Sequence, residues 1–489
     1  MSNRKELSAE DRRFFGMVKR CAFLNPFGDE RRQADLLAAG LPPKGYTGPA
    51  LDRLLAELGS RLRALGGREG FVDCRRYTGE DAELIRAAVL FHVFHENILA
   101  FDALIQEQMR AGEVSCEAPF AVRACETLVR HGFARDEAEQ DVAIFYQLRR
   151  AFYFISHSLV GESPCMTQLR KRLWDNIFTH DIRWYVGGFW SRMEDFSTLL
   201  LGETGTGKGA AAFALGRSGF IPFVTARSCF AESFTRAFVA INLSQYPESL
   251  IESELFGHRK GAFTGAVERH EGVFARCSPH GAIFLDEIGD VSVTVQIKLL
   301  QVLQQRVFSP VGSHEARRFE GRVIAATNRD LGALRRAGTF RDDFYYRLCS
   351  DQIEVPPLRQ RLDENPAELD TLVRHILRRM GVGAGADAEG RVLEALRGGV
   401  GRGYAWPGNV RELEQAVRCI LLTGAYTGDS GALPGGDAWE AALARGELTA
   451  KELVAGYCRR LYTRHGSYGE VARRAGLDWR TVKKAVAGS

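Results

Sequence analysis

The sequence predicts an α/β protein: a doubly wound parallel sheet, preceded by a mostly helical region and followed by an all-α segment. Three observations carry that expectation. Short apolar runs at 198–201, 238–241, 282–285 and 322–326 each lead into glycine or acidic residues and then a helical stretch, the alternation that a parallel sheet with crossover helices produces. From Ser8 to about Ser156, apolar residues recur at helical spacing, as in Leu51, Leu54, Leu55 and Leu58, with few β-branched runs and breaks near 42–48 and 66–70. The stretch 424–436, GAYTGDSGALPGG, is glycine-rich and without period, so it reads as a linker ahead of short helices around a glycine turn at Gly476.

The expected division is therefore a helical domain at 1–156, an α/β domain at 157–423, a linker at 424–448 and a terminal domain at 449–489. A chain of 489 residues, 45% hydrophobic and 26% charged, is ordinary for several globular domains. Its net charge of +4 is too small to argue nucleic-acid binding from the whole chain, so any basic patch must be local. Ten cysteines at irregular spacing, no CxxC pair and a charged opening MSNRKELSAEDRR predict reduced thiols in a cytoplasmic protein. The most apolar stretch, 84–105, is interrupted by His92, His95, Glu96, Asn97 and Asp102, and is expected to be buried helix and not a membrane span.

The run 198–201 enters Gly202, Glu203, Thr204, Gly205, Thr206, Gly207, Lys208 and Gly209, then an alanine-rich helix. Glycines let backbone N–H groups curl around phosphate oxygens, the helix start adds its positive dipole, and the lysine reaches the terminal phosphates. The predicted ligand is a nucleotide phosphate with Mg²⁺. The run 282–285 ends in Asp286 and Glu287. Asp286 is expected to hold Mg²⁺ or its waters, and Glu287 to polarise the attacking water as general base. A glycine turn that holds no phosphate, or acidic strand caps, are the bland readings; the coupling of loop and carboxylates favours catalysis.

Gly261, Ala262, Phe263, Thr264, Gly265 and Ala266 spell GAFTGA, a small glycine-flanked tip with one hydroxyl beside a phenylalanine, which suggests a loop that grips a partner. Residues 449–489 carry nine basic residues against three acidic ones, a surplus that suits phosphate contact. Ala472, Gly476 and Val482 have helix-turn-helix spacing, which puts Trp479, Arg480, Thr481, Lys483 and Lys484 on a helix facing double-stranded DNA. A plain solvated basic helix is the alternative.

From residue 159 to 421 the chain resembles the bacterial enhancer-binding proteins, AAA+ ATPases that activate RNA polymerase carrying sigma-54. The motifs are SELFGHRKGAFTGA at 253–266, FLDEIGD at 284–290, RVIAATNRDL at 322–331, FRDDFYYRL at 340–348, PPLRQR at 356–361 and WPGNVREL at 406–413. The resemblance implies an AAA+ fold with a helical lid from about 355. Asn242 would be the switch that holds Glu287, Thr327 and Asn328 would lie on the sensor strand, and Arg411 would report nucleotide state from the lid. Arg341 and Arg347 would be arginine fingers offered to a neighbouring subunit, which implies a ring, a hexamer by the family pattern. GAFTGA would contact sigma-54, and the terminal segment is similar to the family's DNA-binding module.

The chain departs from the pattern in three places. Gly209 stands where the family commonly has an acidic residue, and 180–196 and 216–236 are longer than usual, at a place where an N-terminal domain could press on the ATPase. The expected function is activation of sigma-54 polymerase by an ATP-driven ring. The alternative is a DNA-binding regulator that keeps the fold with weak or lost ATPase. Residues 1–156 match no known sensory fold; His92, His95 and Glu96 could bind a metal but read better as core.

Overall fold

The computed structural model describes residues 5–42, 50–381, 386–400, 403–428, 446 and 448–487. The expected break at 42–48 and linker at 424–448 lie largely outside them. Packing divides the chain into two compact units, Met1–Leu393 with Gly403–Leu421, and Glu394–Arg402 with Leu422–Ser489.

In the first unit the N-terminal region is helical: Ala9–Phe23, Asp29–Ala38, Ala50–Gly66, Gly79–Glu96, Ile98–Ala111, Pro119–Arg130 and Arg135–Ser158. Ser8 caps the first helix by accepting from the Asp11 N–H at 3.0 Å. The apolar stretch 84–105 is not one helix. It bends by 52° at Asn97, whose amide turns back to the Val93 carbonyl at 2.8 Å. Among the described residues no single helix is long and apolar enough to cross a membrane.

The sheet has five parallel strands in the order β4-β5-β8-β1-β9. They are β1 (Thr198–Leu201), β4 (Phe238–Asn242), β5 (Ala282–Asp286), β8 (Arg322–Thr327) and β9 (Asp351–Glu354). The small pairs β2 (Phe223–Val224) with β3 (Cys229–Phe230), and β6 (Val307–Phe308) with β7 (Arg317–Arg318), lie outside it. Alternation along the strands sends side chains to two cores. Leu199, Ile283 and Leu285 pack under helices Glu248–Phe256, Val293–Gln305 and Asp342–Leu348. Leu200, Phe284 and Ile324 face the helix Lys208–Gly216, and that core continues without a break into the N-terminal helices.

That continuity changes the expected picture of a separate domain ending at 156. Phe154 meets Phe213 and Phe234 edge-on at 5.5 and 5.2 Å, and Tyr146 stacks on Phe230 at 4.0 Å. A fully buried large apolar side chain contributes about 1.5–3 kcal/mol, so the four buried rings, with the partly buried Phe213, give on the order of 10 kcal/mol gross, comparable with the net stability of a whole domain. Polar contacts fix the register. Arg150, wholly buried, donates to the carbonyls of Arg217 and Gly219 at 2.7 and 2.6 Å. Gln147 donates to the Ser218 carbonyl at 2.9 Å, and the Ala118 N–H to that of Ser228 at 2.7 Å. The long segment 216–236 thus seats the N-terminal helices, and 180–196 joins it through the Tyr185 hydroxyl, which donates to Gln147 Oε1.

The second unit ends in three helices, Ala450–His465, Tyr468–Ala475 and Trp479–Ala487. Thr449 and Glu452 form a capping box at the first. Gly476 takes the left-handed conformation at the turn (φ 66°), and Cys458, Val471 and Val482 make the small core.

Candidate functional site

The loop 202–207 leaves the C-terminal end of β1, beside β8, where open α/β sheets bind ligands. Lys208, 7% exposed, donates to the Gly202 and Glu203 carbonyls at 2.8 and 3.1 Å. Burial lowers its pKa, against the pull of Glu287 and Asp286. Gly205 has φ +80°, and a Cβ there would stand 2.2 Å from the Gly408 carbonyl oxygen. Only glycine lets this loop meet the lid so closely, and the Val410 N–H donates to the Gly205 carbonyl at 3.1 Å.

Together these elements enclose a cavity of about 530 Å³. Thr204 to Gly209, Asn242, Asp286, Glu287 and Arg411 all line it. Glu287 lies just past β5 at φ 56°, and its buried Oε2 has no hydrogen-bond partner. Burial raises the pKa of Glu287, with the Asp286 charge adding to it, and burial likewise raises that of Asp286. A cavity lined by two carboxylates, a lysine and an arginine fits a phosphorylated substrate with its metal ion. Mg²⁺ fits as well, since it needs only one or two carboxylates beside phosphate oxygens and water. Asp286 supplies such a ligand, whereas Gly209 offers no side-chain oxygen; a Cβ at Gly209 would meet nothing within 4 Å.

Asn242 sits differently from what the resemblance implies. Its amide is 3.4 Å from Asp286 Oδ2, not on Glu287, because Asn242 and Asp286 are register partners on adjacent strands and Glu287 lies beyond the strand end. Thr327 ends β8 fully buried, and Asn328 donates to the Thr204 hydroxyl at 2.7 Å. Arg341 and Arg347 do not line this cavity. Arg341 pairs with Asp343 at 2.7 Å, and Arg347 donates to the Leu303 carbonyl at 2.9 Å.

Two residues of the lid contact were not singled out from the sequence. Arg359 grips Glu203 with both nitrogens, at 2.8 and 2.6 Å. Asn409, wholly buried at φ 53°, donates to Glu203 Oε2 and the Thr204 carbonyl at 3.1 Å each and accepts from the Leu358 N–H at 2.7 Å. They occupy the motifs PPLRQR and WPGNVREL, which were the available signal.

GAFTGA projects from a neck in which His258 and His270 exchange backbone hydrogen bonds at 3.1 Å. Gly261 and Gly265 have φ 78° and 102°, and the Gly261 N–H closes the loop on the Ala266 carbonyl at 2.8 Å. Thr264 is exposed, Phe263 is 37% exposed against His258, and Ala266 is buried. In the second unit Trp479, Arg480, Thr481, Lys483 and Lys484 are exposed. Asp478 caps their helix by accepting from the N–H groups of Arg480 and Thr481 at 2.9 and 3.0 Å.

Residues 191–354, which hold the loop, both carboxylates and GAFTGA, match the family model described as Sigma-54 interaction domain. The central domain is a sigma-54 interaction domain. The resemblance to the bacterial enhancer-binding proteins holds across it. The transcriptional regulatory protein ZraR of Klebsiella oxytoca is 41% identical over 270 residues, 55% of this chain and 53% of that protein. The DNA-binding transcriptional regulator NtrC of Azospirillum brasilense is 39% identical over 263 residues, 53% of this chain and 47% of that protein. The Nif-specific regulatory protein of Azotobacter vinelandii is 38% identical over 307 residues, 62% and 51% respectively. The chain spans about half the length of the curated relatives it matches.

Proposed function

We propose that this chain is a sigma-54-dependent transcriptional activator that binds upstream DNA, assembles into a ring and hydrolyses ATP to remodel the closed polymerase complex. The observation that carries the reading is the cavity that brings Lys208, Asp286 and Glu287 together beneath Arg411, within the sigma-54 interaction domain. Lys208 orients the phosphates and Glu287 takes a proton from the attacking water. Bound Mg²⁺, held by Asp286, would supply charge neutralisation at the phosphates. Asn242 senses the reaction through Asp286. Arg341 and Arg347, outside their own cavity, act on the ATP of the next subunit, for which a closed ring, a hexamer, provides the geometry. Phe263 and Thr264 grip sigma-54, and the helix starting at Trp479 enters a DNA groove.

The test is open-complex formation by the full chain on its own promoter with sigma-54 polymerase and ATP. Thr264→Ala is expected to keep ATP hydrolysis and lose activation, because the loop transmits movement and touches no phosphate. Hydrolysis without activation by the unaltered chain would overturn the reading. Negligible hydrolysis, equal to that of Glu287→Ala, would leave a DNA-binding regulator that retains the fold.

A further inference from the structure

A second cavity, of about 370 Å³ and partly open, is lined by the N-terminal helices and by the segment that leads into β1. Phe91, Phe94, Phe145, Phe152 and Trp174 give it aromatic walls, and Ile182 and Val186 of the long segment 180–196 close one side. Its volume lies at the lower end of the range for small-molecule sites, enough for one or two fused rings.

The polar groups on its wall select among ligands. Both cations are already neutralised: Arg31 by Asp35 at 2.8 Å, and Arg149 by both oxygens of Asp102 at 2.6 Å. His95 Nδ1 lies 2.7 Å from the Phe91 carbonyl oxygen and so carries the proton, which leaves Nε2 as an acceptor. Burial favours that neutral form. Asp141 also lines the cavity, and its buried Oδ2 has no hydrogen-bond partner. The wall therefore offers His95 Nε2 as an acceptor, beside the carboxyl group of Asp141, among aromatic faces. An anionic ligand would find both wall cations already paired, and a pure hydrocarbon would leave the polar groups unmet. Among the described residues no group of three or more potential ligands could hold a metal.

We propose that this cavity binds an uncharged, flat aromatic molecule of one or two rings carrying an N–H or O–H donor. The donor meets Asp141 or His95, and the rings fill the space between the phenylalanines and Trp174. Trp174, Ile182 and Val186 lie on the polypeptide that feeds β1, so the ligand touches the N-terminal helices and the approach to the ATPase at once. The site is independent of ATP and of sigma-54.

Calorimetric titration of the full chain with indole, 2-naphthol and 1-aminonaphthalene, without nucleotide, tests this. At least one is expected to bind saturably at one site, and its analogue without the donor (indene for indole, naphthalene for the others) about tenfold or more weaker. Leu90→Trp and Leu148→Trp, which fill the cavity, are each expected to weaken binding by about tenfold or more. Should either variant fail to fold, hydrogen exchange on the unaltered chain decides: the bound probe should protect residues 87–98 and 182–186 together. The inference is overturned if none of the three binds, if the donor-free analogues or benzoate bind equally well, or if protection appears elsewhere.

Discussion

The Tyr185 hydroxyl donates to Gln147 Oε1 at 2.7 Å, with both side chains out of contact with water. Gln147 belongs to the last N-terminal helix and Tyr185 to the long segment before β1, so this bond joins two regions that the sequence alone would separate. Tyr185→Phe keeps the ring and removes the donor, leaving a buried acceptor unmet. It should lower stability by about 1–3 kcal/mol in denaturant titration. Exchange protection should fall at 182–186 and in Arg135–Ser158 together.

Asp141 predicts a pH dependence. Burial pushes its pKa from 3.8 up to about 7, Glu137 adds to the shift and Arg86 opposes it. The folded chain holds this proton more tightly than the unfolded chain, so Asp141 favours folding below about pH 4, and that advantage is lost as pH rises through 7. His95, pushed down by burial to about 4, works the other way, with stability lost as pH falls from 6.5 through 4. Asp141→Asn keeps His95 and should stabilise by on the order of 3 kcal/mol at pH 8 and by little at pH 4. Urea midpoints at the two pH values check it.

Glu287→Gln should retain ATP and lower turnover by about 100-fold or more. Because burial and Asp286 hold the Glu287 pKa above the ordinary value, the acid limb of the rate profile should lie above the usual carboxylate range. A profile unchanged by the substitution would remove Glu287 from the role of base.

Arg361 and Glu368 form a buried pair on the lid at 2.5 Å, and Glu368 also accepts from the Ser163 N–H at 2.7 Å. Glu368→Gln removes the charge that Arg361 needs and should cost about 3–5 kcal/mol. Gly161→Ala should be severe for a steric reason, since φ is +122° and a Cβ would fall 2.2 Å from Glu368 Oε1. Thermal unfolding of both variants tests this.

Gly209→Ser should fold normally, as the position has open space and helical backbone. Its hydroxyl adds an oxygen to the cavity that Asp286 also lines, so the Mg²⁺ concentration for half-maximal hydrolysis should fall. No change would show that the glycine leaves the metal environment unaffected.

Much of the candidate site was legible because its residues are contiguous: the loop 202–209 and the pair Asp286–Glu287 stand out by spacing, and the structure brings them to one cavity. Four strands were visible as apolar runs, but β9, with the sequence DQIE, is polar at three of its four positions and only Ile353 is deeply buried, so no run marked it. The partner of Asn242 depended on strand register, which local sequence does not encode. Arg359 and Asn409 act across the loop-to-lid contact, more than 150 positions from Glu203, and only folding reveals that proximity.

The unbroken core between the N-terminal helices and the helix Lys208–Gly216 decides how this chain could be rebuilt. Cutting at 156 would leave Phe213, Phe230 and Phe234 facing water, so a truncated central domain should clump unless those rings are replaced. A chimera that exchanges the N-terminal region for another must bring along its own versions of 180–196 and 216–236. The unit of inheritance here is the helices with their socket.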